Sequence, residues 1–328
     1  MRIALLGFGS VGRGIARAIL AKDLSITVTG LADSRSGLID PDGIDLAAAL
    51  ARKGNGDPCG LPDTSPADVV AKADYDVLVE VTPTNVETAE PALGHIREAL
   101  RRHKHVVTSN KGPIAIAYPE LRALAEANGV FLKYEATVCG AIPLIHALQE
   151  GLAGNTISRL YGVFNGTCNY ILTRMAAEGL TYEQALAEAR ELGYAEADPT
   201  YDVEGIDAAI KLVILANTIL GMQTTLADVE RTGITLLTPD ALQLAEDQDC
   251  TIRLIGEIVP EAGALRVSPR LIPEVHPLVV EGTLNAVSVE TDLAGELTFI
   301  GKGAGSTETA SAVIGDLLYI QSRHVQGS

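Results

Sequence analysis

The tightest constraint on this chain stands at its very start. Residues 2–6 read as a short buried strand, and Gly7-Phe8-Gly9-Ser10-Val11-Gly12 follows at once. After it Ile15, Ala16, Ala18, Ile19 and Leu20 keep a helical pattern. A GxGxxG run between strand and helix has a physical meaning that the same letters lack elsewhere. Gly7 permits the tight turn, and Gly9 lets backbone approach a pyrophosphate. Gly12 lets helix and strand pack closely, with the helix N-terminus facing the anion. Such an opening commits the chain to a dinucleotide-binding unit.

The next strand, residues 26–33, ends on Asp33, where a carboxylate accepts hydrogen bonds from the adenosine ribose and favours NAD. Arg35 and Lys53 are each able to meet a 2′-phosphate, or to be solvated surface cations, so NAD and NADP both stay open. Residues 36–66 are rich in Gly, Pro and Asp and read as a surface excursion. Order returns with a buried strand over residues 75–84, a helix over 86–103 and a strand over 105–109. Strands alternating with helices mean a parallel, doubly wound sheet, whose functional loops lie at the carboxyl ends of strands. Thr82, Pro83 and Lys111 sit at such ends.

A strand over residues 130–139 leaves this domain and runs into Gly140, Ile142, Pro143 and a helix over 144–152. Beyond a strand at 157–164 come Asn165-Gly166-Thr167-Cys168 and two helices, the second opening with Thr181 and Gln184 in capping-box spacing. An acidic loop then carries Glu196, Asp198, Asp202 and Glu204 into an apolar helix. On that helix Asp207 and Lys211 stand one turn apart on one face. Its other residues are apolar on nearly every side, so it is expected to be buried, and a buried lysine needs partners or a shifted pKa. Four acids exceed what a helix cap requires, which points to a bound polar ligand. Runs at 251–259 and 264–272 read as antiparallel strands of an α+β region. Gly303 lies in a second glycine-rich turn before a terminal helix over 307–319, and serves either the cofactor or a plain cap.

At 328 residues the chain has room for two domains, and 47% hydrophobic against 20% charged residues gives material for real cores. A formal charge of -17 with no basic run argues against a nucleic-acid or anionic-membrane partner. Cys59, Cys139, Cys168 and Cys250 have no metal-ligand spacing, in keeping with thiols in a reducing cytoplasm. No stretch of about 20 uncharged apolar residues is present to span a membrane.

Taken together these pieces resemble the homoserine dehydrogenases. The resemblance rests on the glycine loop, Glu80-Val-Thr82-Pro83, Thr108-Ser-Asn-Lys111-Gly112 and Tyr134-Glu-Ala-Thr-Val138. It continues through Asn165-Gly-Thr167, Leu192-Gly-Tyr-Ala-Glu196-Ala-Asp-Pro199 and Asp202-Val-Glu-Gly-Ile-Asp207-Ala-Ala-Ile-Lys211. It implies an α/β fold: an N-terminal doubly wound Rossmann-type nucleotide-binding domain over 1–134, with a C-terminal helix at 303–325 packing back on it. An α+β substrate-binding and dimerisation domain would span 135–302.

The implied activity is NAD(P)-linked interconversion of L-aspartate-4-semialdehyde and L-homoserine. Lys211 would be the general acid, Lys111 the second active-site lysine and Asp207 a substrate carboxylate. Glu196 would touch substrate or cofactor, Asp202, Thr167 and Gly166 the substrate, and Gly193 and Gly303 the cofactor. A monovalent cation, Na⁺ or K⁺, would rest on main-chain oxygens of Glu135, Val138, Gly140 and Ile142. A homodimer is also implied. The chain departs from the family pattern at Cys139, where glycine is usual, and at Cys168, where threonine is common; both raise the question of thiol sensitivity. With the chain stopping about one helix after Gly305, no threonine-sensing regulatory domain is expected. The rivals are an aspartate dehydrogenase of the same architecture, an aldehyde-oxidising enzyme with a nucleophilic cysteine, and a dinucleotide sensor without turnover.

Overall fold

Continuous apolar runs at the chain's start leave little choice but burial on both faces, and that is where they lie. A computed structural model describes residues 1–324, which divide into two compact units, Met1–Ala141 with the segment from Gly305 onward, and Ile142–Ala304. In the first unit β1 (Arg2–Leu6), β2 (Thr27–Ala32), β3 (Gly37–Ile39), β4 (Val77–Glu80), β5 (His105–Thr108) and β6 (Leu132–Lys133) form one sheet, ordered β3-β2-β1-β4-β5-β6. Neighbours pair in parallel except β2 with β3, which is antiparallel. Every residue of β4 and β5 is buried, as a sheet covered on both faces requires. The order reverses beside β1, so the switch point lies at the carboxyl ends of β1 and β4.

Helices α1 (Ser10–Ala21), α2 (Leu46–Gly54), α3 (Pro66–Lys72), α4 (Ala92–Arg101) and α5 (Lys111–Ala127) connect these strands. The C-terminal helix, Ser306–His324, packs against α1: a side chain at Gly14 would run into the Ser306 carbonyl at 2.5 Å. It is longer than the stretch expected at 307–319, and residue 325 of the wider 303–325 range lies outside the described residues.

Three local expectations are corrected. Residues 36–66 hold β3 and α2 rather than a bare excursion. The helix expected from residue 86 begins at Ala92, because Asn85 Oδ1 draws the amides of Glu87 and Thr88 into a turn and Pro91 stands before the first helical residue. The strand expected over 130–139 pairs only at Leu132–Lys133 and then tightens into a 3₁₀ turn, Glu135–Thr137. There the Thr137 hydroxyl donates back to the Tyr134 carbonyl at 2.7 Å, and the Glu135 amide donates to Asp316 Oδ2 at 3.0 Å.

The second unit is built on β7 (Ile157–Val163), β8 (Glu230–Arg231), β9 (Cys250–Val259), β10 (Ala264–Pro273), β11 (Leu284–Thr291) and β12 (Gly295–Lys302), ordered β12-β11-β7-β9-β10-β8. All pairings are antiparallel save β10 with β8. Its helices are α6 (Leu144–His146), which continues as a π turn over Ala147–Gly151, α7 (Gly166–Glu178), α8 (Tyr182–Glu191), α9 (Thr200–Val203), α10 (Ile206–Thr218) and α11 (Pro239–Glu246). Residues Asp207 through Ala216 of α10 are buried without a break, in keeping with their apolar character all round. Gly256 of β9 makes room for them, since a Cβ there would come within 2.8 Å of the Phe164 ring and 3.2 Å of Leu212. The opposite face combines an apolar cluster that includes Val163, Ile255, Ile272 and Leu278 with a charged patch: Arg159 bonds Glu257 and Glu290, and Tyr161 donates to Glu296 at 2.7 Å.

Candidate active site

In the first unit the glycine loop is shaped by sterics. Gly7 has φ +97, a conformation open to glycine, and a Cβ there would strike the Val81 carbonyl and lie 2.8 Å from the Thr82 nitrogen. At Gly12 a Cβ would strike the Gly7 carbonyl. Around Gly9 nothing among the described residues lies within 4 Å of the same position, so the fold itself does not need that glycine bare. Gly9 is also the N-cap of α1, and no side chain caps the helix. Uncapped amides and an open approach fit a pyrophosphate. Phe8 is buried beneath the loop, Ser10 and Val11 open the helix, and the Ser306 hydroxyl donates to the Ser10 carbonyl at 2.6 Å.

On the β2 side Asp33 is buried and heavily engaged. Lys53 Nζ donates to its Oδ2 at 2.7 Å, the Arg35 amide to Oδ1 at 2.8 Å, and Ser36 and the Cys59 amide complete the set. Burial would push this carboxyl up, but the Lys53 ammonium and the other donors outweigh it and hold it well below the usual carboxylate range. Arg35 donates from its guanidinium to the Gly56 carbonyl at 3.1 Å. One carboxylate and two cations beside it thus share one corner.

Beyond the switch point, Thr82 and Pro83 follow β4, and Asn110 and Lys111 follow β5. Asn110 Nδ2 donates to the Thr82 carbonyl at 3.2 Å, and its Oδ1 accepts the Gly112 amide as the cap of α5. Lys111, half-buried, is the first residue of that helix.

The second unit gathers Lys211, Asp207, Asp202, Asn165 and the start of α7. Lys211 Nζ donates to Asp207 Oδ2 and to the Phe164 carbonyl, each at 2.6 Å, and both charged side chains are about 92% buried. Asn165 Nδ2 reaches Asp207 Oδ2 at 3.0 Å and Asp202 Oδ1 at 2.6 Å, while its Oδ1 caps α7 at Cys168. This amide is the hub; in the sequence it stands only as part of the Asn165-Gly-Thr167 motif, and its position as N-cap of a helix beside two acids is the signal that points to it. Gly166 is bare because a Cβ would lie 2.6 Å from the Thr283 carbonyl, and the Thr167 hydroxyl donates to the Tyr194 carbonyl at 2.8 Å. Of the four acids before α10, two have structural work: Asp198 accepts the Thr200 amide, and Glu204 accepts the Thr235 hydroxyl. Glu196 is exposed.

The remaining residues are placed as follows. Gly193 takes φ +75 just past α8 and ends that helix. Gly303 has a packing reason of its own, since a Cβ would collide with the Asn285 side chain. Glu135 and Val138 are buried at the 3₁₀ turn, where Cys139 and Gly140 both take positive φ, +57 and +51. Ile142 is the first residue of the second unit and accepts the Leu144 amide at 2.8 Å. Among the described residues no cluster of three or more His, Cys, Asp or Glu is arranged for a metal. Cys168 is fully buried and its thiol donates to the Asp202 carbonyl at 3.1 Å; burial, with Asp202 and Asp207 close by, pushes the thiol far up, so it is an unreactive S–H. No helix among the described residues is long and apolar enough to cross a membrane.

Comparison with known proteins gives these features a common origin. Residues 7–135 match the family model "Homoserine dehydrogenase, NAD binding domain" and residues 143–318 the model "Homoserine dehydrogenase". A homoserine dehydrogenase of Methanocaldococcus jannaschii is 48% identical over 98% of both chains. A crystal structure of a putative homoserine dehydrogenase from Archaeoglobus fulgidus superposes with a TM-score of 0.91 at 49% identity, covering 98% of this chain and 99% of that one. A hyperthermophilic archaeal homoserine dehydrogenase in complex with NADPH matches at 32% identity and a TM-score of 0.85, over 98% of each chain. Both units and nearly the whole length agree, and the chain belongs to the homoserine dehydrogenase family, an NAD(P)-binding oxidoreductase.

Proposed function

We propose that Lys211 gives and takes the proton in the homoserine dehydrogenase reaction, the interconversion of L-aspartate-4-semialdehyde and L-homoserine. The observation that carries this is the buried Lys211 ammonium, fixed at 2.6 Å by Asp207 and by the Phe164 carbonyl. Bound NAD or NADP supplies the hydride in one direction and accepts it in the other. As the aldehyde carbon takes the hydride, its oxygen gathers negative charge, and Nζ donates a proton to that oxygen. In reverse, the neutral amine removes the alcohol proton. Asp207 and Asp202, held by Asn165, offer carboxylates to the substrate ammonium, and Thr167, Gly166 and Glu196 complete that site. Lys111 is the second active-site lysine, alongside Thr82 and Pro83. Asp33 serves the ribose hydroxyls of NAD, and Lys53 with Arg35 the 2′-phosphate of NADP, so both nucleotides are accepted.

Purified protein should reduce NAD and NADP when given L-homoserine, and should do so with neither when given aspartate. Folded, cofactor-bound protein that turns over no homoserine would remove the assignment.

We further infer a monovalent cation, Na⁺ or K⁺, on the main-chain oxygens of Glu135, Val138, Gly140 and Ile142. Two consecutive positive φ values bend this segment sharply, which supports convergent carbonyls. Exchanging both ions for tetramethylammonium should lower the melting temperature; an unchanged temperature would count against the site. The homodimer carried by the family resemblance predicts sedimentation at twice the chain's mass, and a monomer at micromolar concentration would contradict it.

A further inference from the structure

Glu80 is the last residue of β4, and its side chain is fully buried. Oε1 accepts the Thr82 amide at 3.2 Å and also the Thr82 hydroxyl. Among the described residues, Oε2 is buried with no hydrogen-bond partner. From Thr82 the bonding continues to Asn110, which donates to the Thr82 and Pro83 carbonyls, at 3.2 and 3.4 Å, and caps α5. The Thr108 hydroxyl donates to the Glu80 carbonyl at 2.8 Å and accepts the Asn110 amide at 2.9 Å. Glu80 therefore anchors both loops that follow β4 and β5.

A carboxyl is an expensive anchor here. Burying it with one oxygen unsatisfied costs free energy that an apolar side chain of similar length would avoid. Its place on the sheet supplies a reason. In a doubly wound sheet of this order the adenosine half of the cofactor lies on the β2 side, and the nicotinamide half lies beyond the switch point, at the ends of β4 and β5. The oxidised nicotinamide ring is a cation and the reduced ring is neutral.

We propose that Glu80 is a positioning residue for the Thr82–Pro83 loop whose ionisation is coupled to the redox state of the bound nicotinamide. The carboxylate accompanies the oxidised, cationic ring and the protonated acid accompanies the reduced, neutral one. The inference rests on the family's NAD(P) site at the glycine loop. Hydride reaches the ring from the substrate, and the proton that Glu80 gains comes from solvent and returns there when oxidised cofactor is rebound. Burial pushes the Glu80 carboxyl up to about 7, against the pull of the Thr82 hydroxyl and amide and of the neighbouring Asn110 and Thr108 dipoles, so the group titrates in the neutral range. Those groups come from the loop after β4, from the residue before α5 and from β5, and none ionises near neutrality. The β1 residue paired with Glu80 is Leu6, and the cation carried by these loops is Lys111.

The test is equilibrium binding of NAD⁺ and NADH to the intact protein at pH 6 and pH 8.5, with E80Q in parallel. Preference for the oxidised over the reduced form should rise about tenfold with pH in the wild type, the size of a typical coupling between sites, and should be flat in E80Q. Equal pH dependence of that preference in both proteins would overturn the proposal. A second measurement needs no variant: calorimetry of wild-type binding near pH 7 in buffers of different ionisation heat. NAD⁺ binding should release a fraction of a proton that NADH binding does not. Identical proton release for the two would overturn the coupling, whereas failure of either nucleotide to bind at any pH would instead remove the cofactor site.

Discussion

Single residues in this protein show their purpose by what they cost. Glu80 holds an extra proton in the folded state between its ordinary value, 4.5, and its buried one, about 7. Stability attributable to it is therefore complete below about pH 4.5, falls as pH rises towards 7 and is level beyond. The fall is at most roughly 3 kcal/mol, from about 1.4 kcal/mol per unit of pKa. Melting curves of wild type and E80Q at pH 5 and pH 8 should show the balance moving in the variant's favour at the higher pH. Movement the other way would mean that the site stabilises the charge. At this scale much of the site was legible. Asp207 and Lys211 declared themselves because i,i+4 spacing on an apolar helix leaves a charge pair no solvent to escape into. Asn165 and Glu80 did not, since an N-cap amide and a strand-end acid take their meaning from partners 42 and 2 residues away that only the folded chain identifies. Asp198 and Glu204, counted among the four acids that point to a bound ligand, also accept hydrogen bonds from the Thr200 amide and the Thr235 hydroxyl.

Among elements, the glycine-loop helix and the C-terminal helix make a test of packing against propensity. Both Gly14 of α1 and Gly315 of the terminal helix lie in helix interiors, where alanine is preferred by about 1 kcal/mol. At Gly14 the added Cβ meets Ser306 at 2.5 and 2.6 Å, while at Gly315 nothing among the described residues lies within 4 Å. Gly14→Ala should then destabilise by about 2 kcal/mol, the usual range for overpacking. Gly315→Ala should stabilise by about 1 kcal/mol. Denaturant unfolding of the two variants reads both signs, and equal signs would contradict the packing account. The parallel strands were legible because their burial leaves uninterrupted apolar runs. Ends were less so: the helix after β4 starts late because Asn85 and Pro91 offer the backbone a turn, and the strand after α5 stops early because Thr137 bonds back on Tyr134.

At the scale of the molecule, the antiparallel edge strand β3 hides in a stretch that reads as an excursion, but the parallel, doubly wound character of the first sheet follows from strands alternating with helices and could be read from the chain. The second sheet could not. Its centre is β7, paired with β9 on one side and with β11 on the other, and β11 lies far along the chain. Nothing local specifies which antiparallel runs will neighbour each other across such separations. What the architecture does specify is a division of labour: a glycine loop open to a nucleotide in one unit, and a buried ammonium with two carboxylates in the other. The central claim is that Lys211 moves the proton, and a single-turnover experiment tests it most directly. Wild type and Lys211→Ala, each saturated with cofactor and L-homoserine, are followed by absorbance of the reduced nicotinamide. The chemical step should slow by about 10³-fold in the variant, in the range for a lost general acid–base, with cofactor affinity within about twofold. An unslowed step in a folded, cofactor-bound variant would contradict the account and place proton transfer elsewhere.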